Sequence, residues 1–252
     1  MSEFIKKLGQ VSRGNEQPMG FGLRAKVRIA PMMLIAQFGS VDRNTVKQAI
    51  SGGADAVLFD IEKPLSQIEM ISQISGSIGK APWGVRLGAN TSEDIDKLAD
   101  AGCDYVVMTA DVPAQLLIED RMGKVLETDI TLGDGLAEAV SQVSVDAILI
   151  TDGDSLPTLT IGRLLDYQRI CAYSGKLAVV NVPQNLTDLD VLLEAGVGGV
   201  IVDVEVERGS EILSEAREKI QSLSGHKKRE REENHALLPR ASAMFEDDEE
   251  GF

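Results

Sequence analysis

The stretch Gly53-Ala54-Asp55-Ala56-Val57-Leu58-Phe59-Asp60-Ile61-Glu62-Lys63, followed after a helix-like segment by Pro82-Trp83-Gly84-Val85-Arg86, decides the fold. Ala56 to Phe59 is an unbroken apolar run that ends in charge, and the run ending at Arg86 repeats the plan. Continuous apolar runs suit strands buried on both faces, as in a parallel sheet covered by helices. Working outward, comparable runs rich in Val and Ile lie near 32–37, 55–60, 82–87, 104–109, 124–130, 146–151, 177–182 and 198–204. Between them, helix starts are signalled at Asp42, Leu65-Ser66, Thr91, Pro113, Asp134, Pro157, Thr187 and Ser210. Eight strands alternating with eight helices predict βαβ units throughout.

A weak internal repeat selects a closed barrel over an open sheet. Gly53-Ala54-Asp55-Ala56-Val57, Gly102-Cys103-Asp104-Tyr105-Val106, Ser144-Val145-Asp146-Ala147-Ile148 and Val197-Gly198-Gly199-Val200 open every second strand, at spacings of about 49, 42 and 52 residues. Four such quarters predict a (β/α)8 TIM barrel over residues 31–225. Residues 1–30 form a basic arm with six Lys/Arg against two acids, opening on a short helix at 2–9. Residues 226–252 read as a disordered acidic tail, with mixed charge running into Glu246-Asp247-Asp248-Glu249-Glu250. Leu237, Leu238, Met244 and Phe245 give that tail apolar points with which to hold a protein partner or a neighbouring subunit.

With 252 residues and 43% hydrophobic content the chain buries a full core as one domain. Its apolar runs are too short to span a bilayer and its first residues lack a signal peptide's apolar stretch, so a cytoplasmic protein without membrane contact is expected. A net charge of −15 opposes contact with phosphate backbones and excludes nucleic acid as a natural partner. Cys103 and Cys171 have neither disulfide nor metal-knuckle spacing and read as buried thiols. The two histidines, His226 and His235, both lie in the tail. Chemistry in the barrel therefore falls to carboxylates, Lys, Arg, hydroxyls or backbone.

Overlaying the strands places Gln37, Asp60, Arg86, Thr109, Glu127 or Asp129, Thr151, Asn181 and Asp203 at their C-terminal ends, with Glu62, Lys63, Asp111, Asp152, Asp154, Gln184 and Glu205 just beyond. This is the face on which such barrels build their sites. Clustered acids need a cation, and carboxylates without histidine select a hard ion such as Mg²⁺ or Mn²⁺. A phosphate or flavin site is the rival reading, kept alive by Arg208-Gly209-Ser210, but Pro183, Asp203 and Glu205 stand where backbone N–H groups should meet a dianion.

The order of these residues resembles the metal-dependent pyruvate aldolases of the hydroxy-oxo-heptanedioate aldolase and citrate lyase β-subunit type. Residues 53 to 63 look like that family's Gly-Ala-Asp, apolar strand, Asp-x-Glu-His; Gly84-Val85-Arg86-Leu87 resembles its arginine strand; Leu98 to Val107 resembles its Leu-Asp-Ala-Gly-Ala-Asp-Gly-Val. Glu127-Thr128 and the segment Val145 to Asp154 resemble its two metal-ligand strands. The resemblance implies a divalent-metal-dependent carbon–carbon lyase acting on a small 2-oxo acid, in a homo-oligomer. It implies Glu127 and Asp154 as metal ligands and Arg86 as the holder of the pyruvyl oxygens. Asp60 and Lys63 stand beside Arg86 as the further catalytic positions, with Gln37, Glu62, Thr151, Asp152 and Asn181 around the substrate. Lys63 replaces the family's histidine base, and a lysine at its ordinary pKa near 10.4 is protonated at neutral pH. Thr151-Asp152 likewise replaces the family's Gly-Pro. Two alternatives follow: a catalytically inactive barrel serving as a scaffold through its terminal arms, and a flavin- or phosphate-binding oxidoreductase.

Overall fold

A computed structural model describes residues 2–13, 30–61, 64–76, 79–88, 95–153, 158–183, 185–205 and 208–223. Eight parallel strands close into a barrel in sequence order: β1 (Met33–Phe38), β2 (Ala56–Phe59), β3 (Trp83–Leu87), β4 (Tyr105–Met108), β5 (Gly123–Asp129), β6 (Ala147–Thr151), β7 (Leu177–Asn181) and β8 (Val197–Asp203), with β8 paired back on β1. The chain is a (β/α)8 TIM barrel, and every strand lies within one residue of its expected bounds. Around it run α2 (Arg43–Ser51), α3 (Ile68–Ser75), α4 (Ile95–Asp100), α5 (Asp134–Gln142), α6 (Ile161–Ser174), α7 (Leu189–Glu194) and α8 (Gly209–Ser222).

Strand alternation separates two cores. Outward residues such as Leu34, Val57, Val85, Val106, Ile148, Val180 and Val202 pack under the helices. Inward residues Met33, Ile35, Ala56, Leu58, Tyr105, Val107, Val125, Ala147, Leu149, Val179 and Ile201 fill the bore. Helix α1 (Glu3–Arg13), longer than the expected 2–9, is the bore's stopper. Phe4 stacks on Tyr105 with ring centroids 3.9 Å apart, and Leu8 sits against Gly198 and Gly199, where a Cβ would come within 3.2 and 3.4 Å of its Cδ1. Gly84 leaves room for the Tyr105 ring, which a Cβ would approach to 2.7 Å.

The repeated aspartates explain the four-fold pattern. Asp55 accepts the N–H of Leu34 at 2.9 Å and Asp146 that of Lys124 at 2.8 Å, so each clamps the preceding odd strand at the bottom of the barrel. Asp104 instead captures α1, accepting from Ser2 Oγ and the backbone N–H groups of Glu3 and Phe4 at 2.7 to 2.8 Å. The fourth quarter has Gly198 there, and the space goes to Leu8.

The structure corrects one element. After β4 the expected α-helix at Pro113 is a 3₁₀ turn, Ala114–Ile118. Its carbonyls are taken by the buried Lys124, whose ammonium donates to the backbone oxygens of Leu117 and Glu119 at 2.9 and 3.0 Å, stopping the helix at one short run. The expected helix starts at Thr91 and Pro157, most of the arm (14–29) and the 226–252 tail lie outside the described residues.

Candidate functional site at the barrel mouth

Continuing the inward alternation one step beyond the apolar bore brings a polar ring: Gln37, Asp60, Arg86, Thr109, Glu127, Thr151, Asn181 and Asp203, one residue from each strand end. Part of this ring is joined by direct contacts. Gln37 Nε2 donates to Asp60 Oδ2 at 3.3 Å, Arg86 Nη1 meets the same oxygen at 3.0 Å, and Arg86 Nε stands 3.4 Å from Glu127 Oε2. The guanidinium thus lies between two carboxylates delivered by β2 and β5. All three side chains are recessed but reachable, with 22% of Arg86, 31% of Asp60 and 18% of Glu127 exposed.

The Arg86–Glu127 contact is ionic without being a hydrogen bond, since neither Arg86 Nε nor Glu127 Oε2 has a hydrogen-bond partner although both atoms are buried. Gln37 Oε1 is a third buried atom without such a partner. Buried polar atoms left this way are costly unless something else meets them. The ring's three acids, Asp60, Glu127 and Asp203, outnumber its single cation.

Other expected positions separate. Asp129 turns aside to cap its own loop, accepting from Thr131 N and Oγ1 at 2.7 and 2.6 Å, and these bonds lower its pKa. Asp152 was expected at the substrate, but it falls on the outward parity of β6 and pairs with Arg163 of α6, Nη2 to Oδ1 at 2.7 Å. That pair walls a shallow open cleft between α6 and the ends of β6 and β7, which Asn181 also lines. Thr151 uses its hydroxyl on the Thr128 carbonyl at 3.3 Å. Glu62, Lys63 and Asp154 lie outside the described residues. Among the described residues no group of three His, Cys, Asp or Glu side chains is arranged to hold a metal ion.

Glu205 has a role that its sequence position left open. It bridges from β8 to the loop after β1, accepting from the backbone N–H groups of Gly39 and Ser40 at 3.1 Å each and from the Ser40 hydroxyl. Its own N–H donates to Asp203 Oδ1 at 3.0 Å. The backbone donors of that loop are therefore occupied by a carboxylate of the same chain. Helix α8 begins so close to the strand that a Cβ on Gly209 would lie 2.4 Å from the Asp203 carbonyl oxygen.

No family model matches the chain, and no curated protein matches it. Solved structures do. Thiamine phosphate pyrophosphorylase from Pyrococcus furiosus superposes with a TM-score of 0.58 at 17% identity, over 76% of this chain and 96% of that one. A mutant tryptophan synthase α-subunit from the same organism gives 0.60 at 12% identity, over 76% and 98%. Phosphoribosyl anthranilate isomerase from Thermus thermophilus gives 0.59 at 14%, over 76% and 100%. The likeness is one of fold. At these identities the chemistry has to be argued from the ring itself.

Proposed function

We propose that this chain is an enzyme working at the barrel mouth, a divalent-metal-dependent carbon–carbon lyase for a small 2-oxo acid. The observation that carries the reading is Arg86 held between Asp60 and Glu127. A guanidinium presents paired N–H donors to the carboxylate and keto oxygens of such a substrate. Gln37 positions Asp60, and Asp60 positions Arg86. Asn181, at the end of β7, would add a polar group to the substrate's surroundings.

Charge is the reason for the metal. An anionic substrate entering a ring with three acids and one arginine would be repelled without a balancing cation. The donor set fits a hard ion: carboxylate and amide oxygens, with Glu127 Oε2 and Gln37 Oε1 buried and free of hydrogen bonds. Glu127 and Asp154 would hold it. When bound, such an ion acts as a Lewis acid toward a keto oxygen.

The phosphate-site alternative has less support. Two of the similar structures are named for phosphate compounds, yet Asp203 and Glu205 put negative charge at the β8 end here, and Glu205 takes the N–H groups of Gly39 and Ser40. The scaffold alternative draws on the fact that Arg86 is already met by carboxylates of its own chain.

The test is titration calorimetry with Mg²⁺ and Mn²⁺, with and without pyruvate or oxaloacetate, on wild type and on Glu127→Ala/Asp154→Ala. Metal binding that tightens with the 2-oxo acid and disappears in the double variant is expected, and aldol and decarboxylase assays would then name the reaction. Wild-type protein that takes up neither ion in any of these titrations would end the lyase reading.

A further inference from the structure

Cleavage of a carbon–carbon bond next to a hydroxyl moves a proton, and residues 1–225 hold no histidine to take it. A lysine at its ordinary pKa is protonated at neutral pH, so the acceptor has to be found among the carboxylates of the barrel mouth. Most of these are already engaged. Asp60 Oδ2 meets both Gln37 and Arg86, and Glu127 faces Arg86 Nε. Asp129 holds Thr131, Asp152 pairs with Arg163, and Glu205 takes the N–H groups of Gly39 and Ser40. Asp111 is exposed on the loop after β4. Asp203 differs from all of them. Among the described residues no Lys or Arg pairs with it, and its side chain accepts one hydrogen bond, from the Glu205 N–H to Oδ1 at 3.0 Å.

We infer that Asp203 is the general base of the mouth, an inference that rests on the lyase reading above. The single N–H fixes the carboxylate through Oδ1 and leaves Oδ2 for a proton. Its backbone is held from two sides: the next residue, Val204, donates its N–H to the Gln37 carbonyl at 3.1 Å, and α8 begins at Gly209 directly against the Asp203 carbonyl. Asp203 follows the bore residue Ile201 by two and so takes the inward side of β8. Strand order sets it three strands from Arg86, β3 to β8 by way of β2 and β1, so the two stand on facing sides of the closed ring. A substrate whose keto and carboxylate oxygens lie on Arg86 then extends its reacting carbons toward Asp203. The step balances within the substrate. Asp203 removes the proton of a hydroxyl on C4, the C3–C4 bond breaks, its electron pair moves between C2 and C3, and the keto pair moves onto the oxygen that faces Arg86. The C4 fragment leaves as an aldehyde. Asp203 returns the proton to C3, two bonds from where it was taken, and the keto group is restored.

In reverse the same carboxylate withdraws a methyl proton from pyruvate, which gives a test needing no aldehyde. The full chain with Mg²⁺ and pyruvate in D₂O should exchange the methyl protons, followed by proton NMR, while calorimetry reports binding. Asp203→Asn keeps the oxygen that accepts the Glu205 N–H, so fold and affinity should hold while exchange slows at least about a hundredfold. Asp203→Glu keeps a carboxylate and should recover part of the rate. Circular dichroism checks that each variant is folded. An Asp203→Asn protein that exchanges at the wild-type rate would overturn the inference and leave the lyase reading standing. So would a wild type that binds Mg²⁺ and pyruvate without exchange, and an Asp203→Asn protein that loses binding together with exchange would make the residue a binding group instead. Wild type that binds neither ligand ends the lyase reading, and this base with it.

Discussion

Arg86 is the residue on which the mouth depends. Removing it leaves the Asp60 and Glu127 carboxylates facing a shared space without their cation, and the partly exposed setting moderates the penalty. Arg86→Met is expected to lower stability by roughly 1–3 kcal/mol in urea unfolding. Asp60→Asn should cost less, since the amide still offers an oxygen to the guanidinium. A second residue-scale prediction concerns acid. Hydrogen bonds from Arg121 hold the Glu119 carboxyl down at about 2 against an ordinary 4.5. Its folded pKa is depressed, so the stability it contributes is complete above pH 4.5 and is lost as pH falls toward 2. Arg121→Ala should flatten the stability curve in that window, read by denaturant midpoints at stepped pH. The thiols give a third: burial raises Cys103 and moves Cys171 up to about 11, so neither should react with a disulfide reagent at pH 8 in the folded protein.

At the scale of elements, what was legible in the sequence divides by the range of the interactions. The strands were readable because both faces of each are buried, which forces unbroken apolar runs such as Ala147 to Ile150. Most ring positions were readable because each polar residue ends such a run. Asp152 was not, since alternation points it outward and its partner Arg163 belongs to a separate helix. The missing helix after β4 was hidden for the same reason, because the group that ends it, the Lys124 ammonium, belongs to the next strand. The stopper was the least visible element. Nothing near α1 reveals that Asp104 caps it or that Gly198 and Gly199 leave room for Leu8. Leu8→Ala should therefore behave as a core substitution, costing about 2–5 kcal/mol, while Gly198→Val should fail by crowding the same place. Thermal unfolding of both variants tests this, and unchanged melting of Leu8→Ala would show the helix to be dispensable.

Over the whole molecule, the two ends of the barrel have different work. The lower end is closed by α1 and by the Asp55 and Asp146 clamps on backbone N–H groups, Asp55 being also paired with Arg217 of α8 at 2.6 Å. The upper end carries the ring and the Glu205 bridge. Changes at the lower end are expected to move stability and leave ligand affinity alone; changes at the upper end should do the reverse where they spare the Arg86 pairs. Asp146→Ala against Asn181→Ala, each followed by melting and by 2-oxo acid titration, separates the two.

The placement of α1 also orders events in time. A ribosome makes Leu8 long before Gly198 and Gly199, the residues that receive it, and Phe4 about a hundred residues before Tyr105. Until the eighth strand has emerged the stopper has no finished seat, and its apolar face stays open to unintended partners. The earliest segment of this barrel to be translated is thus among the last to be settled, and a nascent chain halted before β8 would leave α1 undocked.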